Sequence, residues 1–136
     1  MASHTNATHQ EQPDRKVLLV EDEVLVAMFA TDALTELGYL LIETATARAA
    51  LEEILGGQNR FGFAVVDLGL PDRPGEELIT ELKVLQPDLP IIIASGYTED
   101  IARSRIKASG GLAFLTKPYD ITRLRSAIEA LAINQG

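Results

Sequence analysis

The sequence predicts an α/β fold, a doubly wound parallel sheet of five strands with helices on both faces. Two observations predict it. Short apolar segments rich in leucine and β-branched residues, typical of fully buried strands, alternate along the chain with longer amphipathic segments. The loops between these segments are short, and such alternation builds a parallel sheet through right-handed crossovers.

The predicted strands are short, and polar residues end or directly follow the first, third, fourth and fifth of them. They cover residues 16–20, 39–42, 63–67, 90–94 and 113–116. The first reads Val-Leu-Leu-Val and the fourth Ile-Ile-Ile-Ala, without alternation of polar and apolar residues. This composition predicts strands that are buried on both faces.

The predicted helices show apolar residues that recur with the helical period. They cover residues 23–37, 47–55, 74–86 and 99–108, and a last helix follows Asp120. Thr46 and Asp120 are typical N-cap residues, and Pro74 suits a first helical turn. Gly38 and the pair Gly56-Gly57 suit helix ends.

The first helix is expected to pack through one wide apolar face, formed by Leu25, Phe29, Ala33 and Leu37 and widened by Val26, Ala30 and Leu34. The third and last helices are expected to pack through Leu78, Ile79, Leu82, Leu85, Ile121, Leu124, Ile128 and Leu131. The fourth helix has only a thin apolar stripe, so we expect it to be the least stable element. Its basic residues suit a solvated face or a partner surface: Arg103, Arg105 and Lys107.

Composition excludes several classes of function. The net charge of −8 argues against nucleic-acid binding as the main role. The chain has no cysteine, which excludes disulfides, thiolate catalysis and cysteine-based zinc sites. It has no apolar stretch long enough to span a bilayer and no signal-peptide core, so we expect no membrane association and a cytoplasmic location.

One folded domain is expected over residues 15–133. Residues 1–14 are polar, lack apolar periodicity and predict a disordered tail, and residues 134–136 predict a short C-terminal tail. Both histidines, His4 and His9, lie in the first tail. The predicted domain therefore has no imidazole, and its reactive groups must be carboxylates, hydroxyls or amines.

Polar residues follow the predicted strands at one edge of the sheet: Glu21, Asp22, Asp67, Ser95 and Lys117. In open parallel sheets functional groups lie at the carboxyl ends of the strands. Carboxylates brought together without histidine or cysteine favour a hard divalent ion, and Mg²⁺ fits because it leaves room for a phosphate. With Mg²⁺ bound, the Asp67 carboxylate stays ionised and can attack phosphorus.

Four segments carry a resemblance to a known family: Val17-Leu18-Leu19-Val20-Glu21-Asp22-Glu23, Val65-Val66-Asp67-Leu68-Gly69-Leu70-Pro71, Ile93-Ala94-Ser95-Gly96 and Leu115-Thr116-Lys117-Pro118. Together they resemble the receiver domain of two-component response regulators, over about residues 15–133. The resemblance implies a flavodoxin-like sheet with strand order 2-1-3-4-5.

The resemblance also implies roles. Asp67 is expected to be the phosphoacceptor, with Asp22 as a direct Mg²⁺ ligand and Glu21 as a ligand acting partly through water. The carbonyl group of Gly69 is expected to be a further ligand. Further implied roles are a switch hydroxyl, a phosphate-pairing lysine, an aromatic switch and a proline after a cis peptide bond: Ser95, Lys117, Phe114 and Pro118.

Some positions depart from the common pattern of the family. Pro74-Gly75 stands where Asp-Gly is more usual, and Gly69 brings no side chain to a position that often modulates the lifetime of the phosphoryl group. Tyr97 borders the same path. The segment Ala94-Ser95-Gly96-Tyr97 is similar to the signature of a receiver subgroup common in alphaproteobacteria, which is often stand-alone and paired with HWE-type histidine kinases.

The residues taken singly have simpler interpretations. Glu21-Asp22 suits a helix start, Lys117 a solvated surface, Ser95 a turn and Phe114 plain core. Chance does not explain well why these polar residues all follow strand-like segments. The set therefore favours a functional site over four unrelated surface features.

We expect a phosphoacceptor module that receives its phosphoryl group from a sensor histidine kinase or a histidine phosphotransfer protein. Output is expected through a protein target on the fourth helix, fifth strand and fifth helix, with the chain a monomer or weak dimer. The expected chemistry is self-phosphorylation and autodephosphorylation, without enzymatic turnover. The alternatives are a Mg²⁺-dependent aspartyl-phosphate phosphatase, against which Gly69 argues because an acid is needed there, and a non-phosphorylated pseudo-receiver scaffold.

Overall fold

The computed structural model describes residues 15–56, 60–108 and 110–135. The predicted N-terminal tail and its two histidines lie outside the described residues. Strands and helices alternate: β1 Lys16–Val20, α1 Val24–Glu36, β2 Leu40–Thr44, α2 Ala47–Leu55, β3 Phe63–Asp67, α3 Gly75–Leu85, β4 Ile91–Ser95, α4 Glu99–Arg105, β5 Leu112–Thr116 and α5 Ile121–Gln135. All paired strands are parallel, in the order β2-β1-β3-β4-β5. The predicted fold class and strand order are confirmed.

The sheet separates two apolar cores, because successive side chains of a strand point to opposite faces. Leu18 and Val20 of β1 lie in one core, beneath α2, α3 and α4. Val17 and Leu19 lie in the other, beneath α1 and α5. Burial on both faces explains why the central strands are continuous apolar runs.

The strand register aligns the carboxyl ends of the central strands. Val20 of β1 pairs with Val66 of β3, so the residues that follow them, Glu21 and Asp67, lie side by side. Ser95, the last residue of β4, pairs with Thr116, the last residue of β5. The polar residues that end or follow these strands therefore meet at one edge of the sheet.

Most element boundaries agree with prediction within two residues, and α4 is the main exception. It ends at Arg105 and not at residue 108, because Ile106 has an extended backbone with φ −101° and ψ 125°. In contrast, α5 continues to Gln135, two residues into the segment predicted as a tail. Thr46 caps α2 as predicted, and the Asp120 carboxylate accepts a hydrogen bond from the N–H of Arg123.

The predicted inner face of α1 was partly wrong. Leu25 is 80% exposed and Phe29 is 39% exposed, whereas Ala30, Ala33 and Leu34 are buried. The first turns of α1 are apolar on nearly every side, so periodicity alone did not define the rotation of the helix. Packing is decided by the small alanine side chains, which allow α1 to lie close to the sheet.

No helix within these described stretches is both long enough and apolar enough to cross a membrane.

The loop that follows β3 is tied to the first turn of α2. The Asp72 carboxylate accepts hydrogen bonds from the N–H groups of Ala47 and Arg48, both at 3.0 Å. The Thr46 hydroxyl accepts a third from Ala49, also at 3.0 Å. These three N–H groups have no partner inside the helix, so the loop completes the capping of α2. The two backbone hydrogen bonds lower the pKa of Asp72.

Replacing Asp72 with alanine should lower the melting temperature. The pKa of Asp72 is lowered in the folded state, so its stabilisation is present above the unfolded value of 3.8 and declines as the pH falls through the folded value. Thermal unfolding of wild type and Asp72→Ala at pH 7 and at pH 3 would show a larger difference at pH 7. Asp88→Ala, which removes an exposed ion pair with Arg60, is the control and should change little. An equal loss for both variants would contradict a capping role.

Candidate functional site

Asp67 ends β3 as a buried carboxylate with two polar contacts. The residue as a whole is only 4% exposed. Oδ1 accepts a hydrogen bond from the N–H of Gly69 at 3.0 Å, and Oδ2 lies 3.2 Å from Nζ of Lys117. A buried carboxylate is costly unless it is paired. The carboxylate of Asp67 is therefore paired with one ammonium group and one backbone donor.

Three carboxylates form a cluster with the composition of a divalent-cation site. Oxygen atoms of Glu21, Asp22 and Asp67 all lie within 4.8 Å of one another. Oδ1 of Asp22 is buried and has no hydrogen-bond partner among the described residues. A buried oxygen without a donor suits a metal ligand, because a cation would supply the missing interaction. These residues fit Mg²⁺, as predicted from their types.

Lys117 reaches into the cluster and contacts three carboxylates. Its Nζ lies 3.0 Å from Oε1 of Glu21, 2.8 Å from Oε1 of Glu23 and 3.2 Å from Oδ2 of Asp67. Burial disfavours the ammonium, but the hydrogen bonds to Glu23 and Glu21 and the nearby charges outweigh it and raise the pKa of Lys117. Lys117 is therefore a permanent cation in this site.

Burial has a large effect on the carboxyl group of Glu21. Desolvation raises its pKa to about 7, against the hydrogen bonds from the N–H of Glu23 and from Lys117, which lower it. The charge of Asp67 adds to the rise. Protonation of Glu21 near neutral pH relieves the repulsion between the two buried carboxylates.

Ser95 lies at the predicted end of β4, but its hydroxyl contacts the backbone of its own turn. Oγ accepts a hydrogen bond from the N–H of Tyr97 at 3.2 Å. The carbonyl group of Ser95 accepts a hydrogen bond from the N–H of Lys117 at 2.7 Å, which joins β4 to the residue after β5. The serine thus lies beside the site with its hydroxyl in a turn.

Two arginines of the α4 segment cover the aromatic residues next to the site. The guanidinium carbon of Arg103 lies 4.4 Å from the ring centre of Phe114, and that of Arg105 lies 4.5 Å from the ring centre of Tyr97. These distances are those of cation–π stacking. The basic cluster predicted as a solvated face or a partner surface therefore also packs on both rings.

Close approach of the backbone fixes the start of α3 against the site. A Cβ atom on Gly75 would lie 2.5 Å from the carbonyl oxygen of Asp67 and 2.6 Å from Cα of Leu68. Only glycine fits this contact, and its N–H donates to the carbonyl of Leu68 at 3.0 Å. In the pair Pro74-Gly75, the glycine is thus the residue that the geometry requires.

The residues after Lys117 form one wall of the site. The peptide bond between Lys117 and Pro118 is cis, as the resemblance implies. Tyr119 packs edge to face on Phe29, with ring centres 5.8 Å apart. Burial and the charge of Glu21 raise the pKa of Tyr119 to about 12, so its hydroxyl stays protonated.

Comparison with known proteins gives the family of the chain. A family model for the response regulator receiver domain matches residues 17–129. The chain belongs to this family. It is thus a receiver domain of two-component response regulators, in agreement with the resemblance drawn from the four strand-end segments.

Two relatives and one solved structure illustrate the range of similarity. Sensor kinase CckA of Brucella abortus is 36% identical over 121 residues, which cover 88% of this chain and 13% of that protein. Sporulation initiation phosphotransferase F of Bacillus subtilis is 25% identical, with 85% of this chain and 92% of that protein covered. The response regulator TrrA of Thermotoga maritima, solved in complex with Mg²⁺ and BeF, has a similar fold with a TM-score of 0.71, 20% identity, and coverage of 86% of this chain and 98% of that one.

Sequence reasoning about this receiver domain missed Glu23 as a member of the site. Glu23 directly follows the acidic pair, and its side chain reaches Lys117, 94 residues away. Its position next to Glu21 and Asp22 could have indicated membership of the site, but Glu23 was interpreted as the start of the first helix. The stacking of Arg103 on Phe114 was also missed, although the basic cluster had been noted.

Glu21 should make stability depend on pH in the absence of metal. Its folded pKa of about 7 lies above the ordinary value of 4.5, so its stabilising contribution is complete below pH 4.5 and is lost as the pH rises through 7. Glu21→Gln is neutral at every pH. The difference in melting temperature between this variant and wild type should therefore grow in favour of the variant as the pH rises from 5 to 8. Thermal unfolding in EDTA measures this gain, with Glu36→Gln as an exposed control on α1. If the difference in melting temperature between variant and wild type is the same at pH 5 and pH 8, burial does not raise the pKa of Glu21.

Proposed function

We propose that this receiver domain accepts a phosphoryl group on Asp67 with Mg²⁺ bound, and that the phosphate changes a protein-binding surface. The observation that carries the proposal is the setting of Asp67. It is a buried carboxylate that contacts Lys117 and lies within 4.8 Å of oxygen atoms from Glu21 and Asp22. Carboxylates in such settings are known nucleophiles toward phosphorus.

The chemistry needs one bond to form and one to break. A carboxylate oxygen of Asp67 attacks phosphorus, the new O–P bond forms, and the bond from phosphorus to the donor histidine nitrogen breaks. The electron pair of that bond stays on the imidazole. Lys117 offsets the negative charge of the phosphoryl oxygens, and the N–H of Gly69 holds the other carboxylate oxygen in place.

Glu21, Asp22 and Asp67 are the residues that would hold Mg²⁺, together with the carbonyl group of Gly69. When bound, Mg²⁺ would neutralise charge on the phosphoryl oxygens and on the carboxylates themselves. The Mg²⁺ and BeF bound by the Thermotoga maritima relative support this assignment.

A sensor histidine kinase or a histidine phosphotransfer protein is the proposed donor. The relatives named as a sensor kinase and as a phosphotransferase support this choice. The proposed output surface is formed by α4, β5 and α5. Ser95 at the end of β4 and Phe114 in β5 are the proposed switch residues that change it. Gly69 has no side chain to protonate a leaving group, so we propose a signalling role without enzymatic turnover.

Incubation with acetyl phosphate and Mg²⁺ should add one phosphoryl group to the wild-type chain, as measured by intact mass. Asp67→Asn should remain unlabelled because it lacks the nucleophilic oxygen, and EDTA should prevent labelling of wild type. Asp88→Asn, an exposed change away from the site, should be labelled like wild type.

The alternatives give different results in this experiment or in a parallel assay with a small phosphomonoester. No label on wild type would indicate a pseudo-receiver scaffold. Labelling of Asp67→Asn equal to that of wild type would move the acceptor elsewhere. Sustained release of phosphate from a small phosphomonoester would indicate a phosphatase.

A further inference from the structure

Lys117 donates hydrogen bonds to Glu21 and Glu23, and its ammonium lies beside Asp67. Glu21, Glu23 and Asp67 all lie within 3.2 Å of its Nζ. An ammonium group has three donors. Phosphoryl oxygens on Asp67 attract the ammonium more strongly than the carboxylate does, so they compete with the hydrogen bonds that it already donates. This inference rests on the proposed function.

Glu23 is the partner that differs most from the other two. It occupies the N-cap position of α1, but its side chain makes no capping hydrogen bond there. Its Oε1 instead makes the shortest contact of Lys117, at 2.8 Å. The side chain thus leaves the first turn of its own helix uncapped and binds the lysine.

Exposure decides which carboxylate can release Lys117 most easily. The side chain of Glu21 is 2% exposed and that of Asp67 is 6% exposed, whereas that of Glu23 is 60% exposed. A buried carboxylate that loses its cation pays a large desolvation cost, and an exposed one is solvated by water instead. Glu23 is therefore the carboxylate that releases Lys117 at the lowest cost in free energy.

We propose that Glu23 is a positioning residue that competes with the phosphoryl group of Asp67 for Lys117. Before phosphorylation, Glu23 holds the ammonium toward the mouth of the site. After phosphorylation, a phosphoryl oxygen takes over that donor and the Glu23 side chain turns to water. The affinity of the site for a phosphoryl group is therefore lower than that of the same site without Glu23.

Beryllofluoride, BeF₃⁻, measures this competition because it mimics a phosphoryl group on a carboxylate. Titration calorimetry with BeF₃⁻ in saturating Mg²⁺ should give a dissociation constant about two- to fivefold lower for Glu23→Gln than for wild type, the range of one exposed ion pair. Glu36→Gln, which makes the same change of charge at the far end of α1, should bind BeF₃⁻ like wild type.

Glu23→Asp separates the contact from the charge. It keeps the negative charge, but its carboxylate is about 1.5 Å shorter in reach and loses Lys117. Aspartate is also a favourable N-cap, so it should turn to α1 and raise the melting temperature. Tighter BeF₃⁻ binding by both Glu23→Asp and Glu23→Gln supports competition for Lys117.

Three results would overturn this role of Glu23. If Glu23→Asp binds BeF₃⁻ like wild type while Glu23→Gln binds more tightly, charge alone explains the effect and the positioning role is refuted. Unchanged or weaker binding by Glu23→Gln also overturns it, as does an equal gain for Glu36→Gln. If wild type takes up neither BeF₃⁻ nor phosphate, the proposed function itself fails; if it takes up both, only the role of Glu23 is at stake.

Discussion

The contact of one ammonium group with three carboxylates is the interaction on which the rest of the site depends. Neighbouring parallel strands are about 4.8 Å apart, and Lys117 extends from the end of β5 past β4 to the residues that end β3 and follow β1. Lys117 lowers the cost of burying Glu21 and Asp67, because its ammonium lies close to both carboxyl groups. The side chain therefore links the end of β5 to the ends of β3 and β1, and it offsets the repulsion between Glu21 and Asp67.

The position of Asp67 follows from the same constraint. The tight contact of Gly75 with the backbone of Asp67 and the hydrogen bond from Gly69 fix its loop. Its carboxylate therefore has little freedom, and a donor must approach it from the open side of the sheet edge. This preorganisation suits the proposed acceptor role, because little further ordering of Asp67 would be needed for the reaction.

The fold and the main site residues were predictable because they depend on patterns that lie close together in sequence. Continuous apolar runs located the strands, and the polar residue after each run located the site edge. The side-chain direction of Glu23 was not predictable, because an N-cap glutamate can face its helix or the solvent with the same sequence. The prediction of the rotation of α1 was partly wrong for a related reason. Leu25 and Phe29 extend the apolar surface beyond the buried alanines.

The capping of α2 by Asp72 links two regions that are 25 residues apart in sequence. Because the loop after Asp67 supplies partners for the N–H groups of Ala47 and Arg48, a shift of that loop exposes these groups to water. Their hydrogen-exchange rates and amide chemical shifts therefore carry information about the loop from a position outside the acidic cluster. In the folded protein, α2 therefore offers two natural spectroscopic probes of the proposed phosphorylation site that need no label on the site itself.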